Sequence, residues 1–189
     1  IGLGNPGTEY AHTRQNAGLM AVDRLSKAWD IDISHLQFKS LVGKGEFSGQ
    51  KVMLVKPQTF MNNSGGAVRS FLNFYKVDPA NMLVVFDELD LPFGSIRIRK
   101  SGGSSGHRGM GSIISKSVTN ELARLRIGIG RPPGRMEPMD YVLKKFLPTE
   151  QPDLDLVLDN VVQSIEVLLV DGIEKAMTRF NHSVLPDEQ

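Results

Sequence analysis

Cysteine is absent from this 189-residue chain, which excludes disulfides, a thiolate nucleophile and any metal site with cysteine ligands. No apolar run approaches the roughly 18 residues that a membrane span needs. The first residues also lack the charged and then apolar pattern of a secretory signal peptide. The first residues resemble the end of a strand, so we expect further residues upstream of Ile1. A cleaved transit segment is therefore an open alternative. A reducing compartment fits this composition without being required by it.

Charge is unevenly distributed along a chain whose formal net charge is only +1. Residues 97–145 hold eleven lysines and arginines against three acids, so the remainder of the chain is net acidic. A basic segment in a nearly neutral protein is typical of a surface that binds a polyanion such as nucleic acid. A solvated basic face balanced by acids elsewhere would have the same composition, so charge alone leaves both interpretations open.

Apolar residues recur with helical and strand spacings in alternation, which indicates an α/β fold. The periodicity predicts helices over 16–29, 64–76, 108–116 and 154–169, followed by a short terminal helix. It predicts strands over 38–47, 51–57, 82–88, 95–101 and 124–130. We expect a single domain over residues 1–189, in which a central twisted mixed sheet has helices on both faces. Asn16 is the expected N-cap of the first helix.

Polar loops follow the predicted strands at residues 4–18, 56–66, 86–94 and 100–112. Each loop is rich in asparagine, aspartate, glycine or serine, and each leads into a helix or a new strand. Sites in open α/β sheets gather at the carboxyl ends of strands. We therefore expect these loops to form a cleft at one edge of the sheet.

Taken singly, the loops allow several interpretations. Residues 2–7 match the glycine pattern of dinucleotide-binding proteins, but no apolar helix follows at once and Asp23 falls inside a helix, which disfavours a NAD enzyme. Asp87 could orient a base, bind a metal or cap the next turn. The glycines and serines of 101–109 could admit an anion or form a connector. Phe60 could stack on a nucleotide or join the core.

Five motifs, in order, resemble the bacterial-type peptidyl-tRNA hydrolase family over essentially the whole chain. They are GLGNPGTEYAHTRQNAG, KPQTFMNNSG, DELDLPFG, GGSSGHRG and RLRIGIGRP. The resemblance implies an α/β domain with a mixed sheet, no metal and no cofactor. It implies hydrolysis of the ester between a stalled peptide and the 3′ ribose of tRNA, with peptidyl-tRNA as partner and no membrane. We expect a monomer in the cytoplasm, with a mitochondrial or plastid matrix as the alternative.

The family's motifs imply roles for residues of this chain. The family's base is a histidine in a T-R-H-N motif, Asp87 would orient it, and Asn5 would hold the peptide side of the substrate. The residues that would line the pocket near the terminal adenosine are Tyr10, Phe60 and Asn62. The candidates for binding acceptor-stem phosphates, assigned by their place in basic loops and strands rather than by a motif, are Arg97, Lys100, Arg108, Arg124 and Arg126.

Two residues depart from the family's pattern. Gln15 occupies the position of the base, and an amide can hold a water but cannot accept its proton near neutral pH. Arg108 replaces the asparagine of the family's G-H-N-G motif. We therefore expect weak or absent hydrolysis unless a nearby histidine, His107 in preference to His12, takes over as base. Gln15 could be an engineered inactivating change or natural, and the alternative to an enzyme is a non-catalytic RNA-binding or ribosome-associated relative.

Overall fold

A computed structural model describes residues 1–117 and 119–186, and the α/β fold expected from the sequence is confirmed. The helices are α1 (Ala17–Trp29), α2 (Ser64–Tyr75), α3 (Arg108–Ser117), α4 (Pro138–Val142), α5 (Gln151–Asp171) and α6 (Ile173–Phe180). The strands are β1 (His35–Gln37), β2 (Ser40–Phe47), β3 (Gln50–Pro57), β4 (Leu83–Glu88), β5 (Ile96–Arg99) and β6 (Ala123–Gly128). Short 3₁₀ turns lie at Arg14–Asn16, Met61–Asn63, Pro79–Asn81 and Pro148–Glu150. Within these described ranges, no helix is both long enough and apolar enough to span a bilayer.

Each predicted helix and strand is present, and the differences lie mainly at the ends of elements and in two short additions. The sequence pattern did not predict β1, a three-residue strand that is mostly exposed. It did not predict α4, a helix of five residues. Neither is long enough to show a periodic apolar pattern, and β1 exists because it pairs with β2.

The N-terminal segment joins two three-stranded sheets. In the first, β1, β2 and β3 pair antiparallel in that order; in the second, β6 lies between β4 and β5, parallel to β4 and antiparallel to β5. Residues 1–3 run between β3 and β4, where Gly2 N donates to Val55 O and Leu3 N donates to Val85 O, both at 3.0 Å. Because Gly2 also pairs in parallel with Val85, the strands make up the central mixed sheet that was expected.

Helices cover both faces of this sheet, as the sequence predicted. On β4, Val85 packs into a cluster with α1, α5 and α6, while Val84 and Phe86 pack into a cluster with α2 and α3. This alternation follows from the two-residue period of a strand. Gly18 allows the start of α1 to lie directly on the sheet, because a Cβ there would be 2.2 Å from Val85 O.

A large apolar cavity lies toward the start of β4, away from the polar loops. Its volume is about 880 Å³, and its lining includes Ile1, Trp29, Val52 and Leu83. Neither Asn5 nor Gln15 nor Asp87 lines this cavity. The cavity is therefore separate from the residues predicted to form the site.

Candidate active site

Asn5 and Asp87 lie at the same edge of the central sheet because the segments that carry them are parallel neighbours. Residues 1–3 pair in parallel with β4, and Asp87 lies near the carboxyl end of that strand. Groups that follow the carboxyl ends of parallel strands share one edge of the sheet. The turn Arg14–Asn16 packs against β4 and brings Gln15 to this edge as well.

Asn16 holds the main chain of Asn5 instead of capping its helix. Its Oδ1 accepts a hydrogen bond from Asn5 N at 2.8 Å, and its Nδ2 donates to Asn5 O at 3.0 Å. Asn16 does occupy the N-cap position of α1, as predicted, but its side chain makes no capping hydrogen bond. A buried amide requires hydrogen-bond partners, and this pair of bonds satisfies Asn16 while fixing Asn5.

The side chain of Asn5 connects two of the polar loops. Its Oδ1 accepts a hydrogen bond from Met61 N at 2.9 Å, and its Nδ2 donates to Gln15 Oε1 at 2.9 Å. A backbone N–H can only donate, so the contact with Met61 fixes which end of the Asn5 amide is the oxygen. Two of the predicted site residues are thus in direct contact.

Arg14 anchors the loop that carries the position predicted for the base. The residue is only 6% exposed, and both Nη atoms donate to the Glu150 carboxylate at 3.1–3.2 Å. The guanidinium carbon lies 4.8 Å from the ring centroid of Tyr141 and 4.9 Å from that of Phe146. Cations stack favourably on aromatic faces, so residues far along the chain hold this N-terminal loop in place.

The hydrogen-bond partner of Asp87 is His107. Asp87 Oδ1 lies 2.9 Å from His107 Nε2, and the two side chains are 5% and 9% exposed. Met110 N donates to His107 Nδ1 at 3.1 Å, and the ring packs on Phe86 with centroids 4.6 Å apart. The family's pattern implied that Asp87 orients residue 15, whereas in this chain it contacts the histidine of the glycine-rich loop.

Gly109 is where these two groups of residues meet. A Cβ at Gly109 would lie 2.4 Å from Met61 Sδ and 3.1 Å from His107 Cε1. Both residues therefore pack against a stretch of backbone that admits no larger side chain. Because Met61 N binds Asn5 and His107 binds Asp87, Gly109 links the Asn5–Gln15 pair to the Asp87–His107 pair.

The residues predicted to line the substrate pocket differ in exposure. Phe60 is 57% exposed, so its ring is a surface group and not part of the core. Asn62 is exposed and Tyr10 is half-buried. His12, which was the less favoured replacement base, is also exposed.

Arg124 lies in the interior, although its position in a basic strand led to its assignment as a tRNA-binding residue. It is 0% exposed and donates to the carbonyl oxygens of Gly103, Asn120 and Leu122 at 2.7, 3.0 and 2.8 Å. Burial lowers the pKa of Arg124, and the positive charge of Arg126 lowers it further. Arg124 therefore holds the glycine-rich loop to β6 and is not on a surface that a phosphate could reach.

The other predicted phosphate ligands keep some access to solvent. Arg97 and Arg108 are exposed, and Arg126 is half-buried. Arg97 on β5 lies directly opposite Arg126 on β6, so two cations are cross-strand neighbours. Lys100 forms an exposed ion pair with Glu174, which competes with its use as a phosphate ligand.

The chemistry available at this edge comes from two amides, one carboxylate and one imidazole. These groups belong to Asn5, Gln15, Asp87 and His107. In residues 1–117 and 119–186, no group of three or more histidine, cysteine, aspartate or glutamate side chains is placed to hold a metal ion. The amides can orient polar groups of a substrate or a water, and the carboxylate can accept a proton.

Sequence reasoning missed the residues that position the site. Asn16 was interpreted only as a helix cap, and neither Arg14 nor Glu150 was assigned a role. Arg14 does lie in the same motif as Gln15, which was a usable signal. Glu150 lies outside every motif, and no local pattern connects it to the first loop.

Comparison with known proteins gives a family assignment. The model of the family described as "Peptidyl-tRNA hydrolase" matches residues 1–188. The chain is 52% identical over 180 residues to a peptidyl-tRNA hydrolase of Carboxydothermus hydrogenoformans, covering 95% of this chain and 96% of the relative. It is 45% identical over 185 residues to one of Frankia alni, covering 98% and 93%. It is also similar to the crystal structure of peptidyl-tRNA hydrolase from Acinetobacter baumannii, with a TM-score of 0.90, 37% identity and coverage of 96% and 93%. The chain therefore belongs to the peptidyl-tRNA hydrolase family.

Proposed function

We propose that this chain hydrolyses peptidyl-tRNA, cleaving the ester that joins the peptide to the 3′ ribose and releasing the tRNA for further translation. Two relatives named peptidyl-tRNA hydrolase, at 45% and 52% identity over nearly the whole chain, support this. The observation that carries the proposal is the geometry of the site. Asn5 is held by Asn16 and Met61, and Met61 and His107, the partner of Asp87, both pack against Gly109.

The surroundings of the site suit the 3′ end of a tRNA. The exposed ring of Phe60 offers a stacking face for a terminal adenosine, and Tyr10 and Asn62 are the other residues proposed to contact that nucleotide. Arg97 provides positive charge for acceptor-stem phosphates, while the charge of Arg126, its cross-strand neighbour, is partly offset by Glu88, whose Oε2 lies 3.9 Å from Arg126 Nε. Lys100 and Arg108 would add to this charge. The monomeric state and the cytoplasmic location remain predictions.

Gln15 is expected to make this hydrolase slow. The family's base is a histidine at this position, and a neutral amide cannot take a proton from water. Loss of a general base costs about 10²–10⁴ in rate. The second candidate function is a non-catalytic tRNA-binding or RNA-binding relative of the same fold, favoured by Gln15 together with the added cation at Arg108.

Hydrolysis of an N-blocked aminoacyl-tRNA by this chain and by Gln15→His separates the two functions. If the scaffold is a hydrolase, Gln15→His should raise the rate by about 100-fold or more, because it restores a base. In parallel, the binding of both proteins to the same tRNA without its aminoacyl group is measured. Tight tRNA binding without any hydrolysis by Gln15→His would favour the binding protein.

A further inference from the structure

Main-chain N–H groups fix the direction of the hydrogen bonds in the site, because they can only donate. Met61 N donates to Asn5 Oδ1, so Asn5 Nδ2 is the donor toward Gln15. Gln15 Oε1 is therefore engaged as an acceptor. Among the described residues, Gln15 Nε2 has no hydrogen-bond partner. The Nε2 group of Gln15 therefore remains available as a donor, while its Oε1 already accepts from Asn5.

A main-chain N–H group also fixes the tautomer of His107. Met110 N donates to His107 Nδ1, so Nδ1 carries the lone pair and Nε2 carries the hydrogen. That hydrogen is donated to Asp87 Oδ1, 2.9 Å away. With both ring nitrogens occupied, His107 has no lone pair to offer a water. The favoured replacement base is thereby a donor that holds Asp87.

One carboxylate oxygen of Asp87 is available to accept a proton. Its Oδ1 is bound by His107, whereas its Oδ2 has no hydrogen-bond partner in the part of the chain that the structure describes. Oδ2 is not fully enclosed by the protein, so it keeps contact with solvent. A nearly buried carboxylate with a single hydrogen bond is costly in a folded protein, and such a group calls for a functional explanation.

We infer that Asp87 is the general base of this chain and that Gln15 is the donor that holds the attacking water, an assignment that rests on the proposed hydrolase function. Gln15 Nε2 donates to the water oxygen, and Asp87 Oδ2 accepts one of the water's protons. His107 is a positioning residue: it occupies Oδ1 and leaves Oδ2 for the water.

The reaction requires only water as the second reactant. The water oxygen bonds to the ester carbonyl carbon while one proton passes to Asp87 Oδ2. The tetrahedral intermediate collapses as its bond to the ribose oxygen breaks, and Asp87 returns the proton to that oxygen. The products are the peptide's carboxylic acid and a free ribose hydroxyl. A carboxylate is a weaker base than an imidazole, so turnover with Gln15 is expected to be slow.

The inference is tested by Asp87→Asn in two backgrounds, the chain with Gln15 and the Gln15→His variant, in single-turnover hydrolysis of an N-acetylated aminoacyl-tRNA. Asparagine keeps the shape and an oxygen that can accept from His107, and melting temperature and tRNA binding check the fold. With Gln15, the substitution should lower the rate by about 10²–10⁴ because the base is lost. With histidine at position 15, the loss should be at least about tenfold smaller, because the imidazole takes the proton.

Two further variants sharpen the result. Gln15→Leu should lower the rate by about tenfold, the value of one hydrogen bond to the water. Asp90→Asn is the matched control, an exposed acid of the same loop paired with Arg131, and should leave the rate unchanged.

Equal losses from Asp87→Asn in both backgrounds would overturn the inference, as would an unchanged rate with Gln15. If Gln15→His hydrolyses the substrate while the Gln15 chain is no faster than Asp87→Asn, the inference fails and the proposed function stands. If no variant hydrolyses the substrate, the proposed function itself fails.

Discussion

Replacing Glu150 with alanine should destabilise the whole domain and loosen the loop that carries Gln15. The substitution leaves the buried Arg14 guanidinium without its carboxylate, between the rings of Tyr141 and Phe146. Removing one partner of a fully buried ion pair costs about 3–5 kcal/mol. The Glu150 side chain is 25% exposed, so water can reach one side, and we expect about 2–3 kcal/mol.

Thermal and urea unfolding followed by circular dichroism measure this loss. In a domain of this length, about 2–3 kcal/mol corresponds to a fall in Tm of about 4–12 °C. Glu150→Gln, which keeps an acceptor and loses the charge, should cost about half as much. The double variant Arg14→Met with Glu150→Leu should recover most of the loss, because apolar residues can replace a buried pair.

The control for this prediction is Asp90→Ala, which breaks the exposed ion pair with Arg131. Exposed pairs contribute about 0–1 kcal/mol, so this variant should unfold nearly like the parent chain. If Glu150→Ala cost no more than Asp90→Ala, Arg14 would not be held by Glu150 in solution. Glu150 would then not be the residue that fixes the first loop through Arg14.

Four other variants test the remaining assignments. Arg97→Glu should weaken tRNA binding and reduce the slope of log K against log salt by about 1–2, measured by fluorescence titration at several salt concentrations. Arg124→Met should leave that slope unchanged but lower the free energy of unfolding by about 2–4 kcal/mol, because three carbonyls lose their donor; a changed slope with normal stability would contradict its buried role. Asn16→Ala should cost about 1–3 kcal/mol and slow hydrolysis by Gln15→His, since Asn5 is released. Phe60→Ala should raise the KM for the peptidyl-tRNA substrate by about 5- to 100-fold, with little change in the Tm of the protein.

The sheet was predictable because its strands carry their signal locally. In β4, the alternation of Val84, Val85 and Phe86 between two clusters follows from strand geometry, and the apolar run marks a strand buried on both faces. The strand β1 gave no such signal, because its three residues are mostly exposed and its strand conformation depends on pairing with β2. The order of strands depends on pairing across the chain, which a local pattern does not contain.

The sequence predicted most of the residues of the site but not which of them contact each other. Arg124 and Arg126 are two arginines of the same alternating strand, and the sequence pattern does not distinguish them. Arg124 is nevertheless buried, and its guanidinium donates to the carbonyl oxygen of Gly103. His107 and Asp87 were both named from motifs. That they bind each other depends on how the start of α3 docks on β4, which is a tertiary property. A sequence also does not show which partner an amide side chain donates to and which it accepts from. For Asn5 this is fixed by the hydrogen bond from Met61 N.

The placement of residues 1–3 between β3 and β4 has a consequence for how this chain is made. Gly2 leaves the ribosome well before its partners Val55 and Val85, which lie much later in the chain. At about 5–20 residues per second, the first segment waits on the order of ten seconds before both neighbours have emerged. A newborn chain therefore exposes an unpaired strand throughout that interval, and a chaperone at the tunnel exit has time to reach it before the fold closes around it.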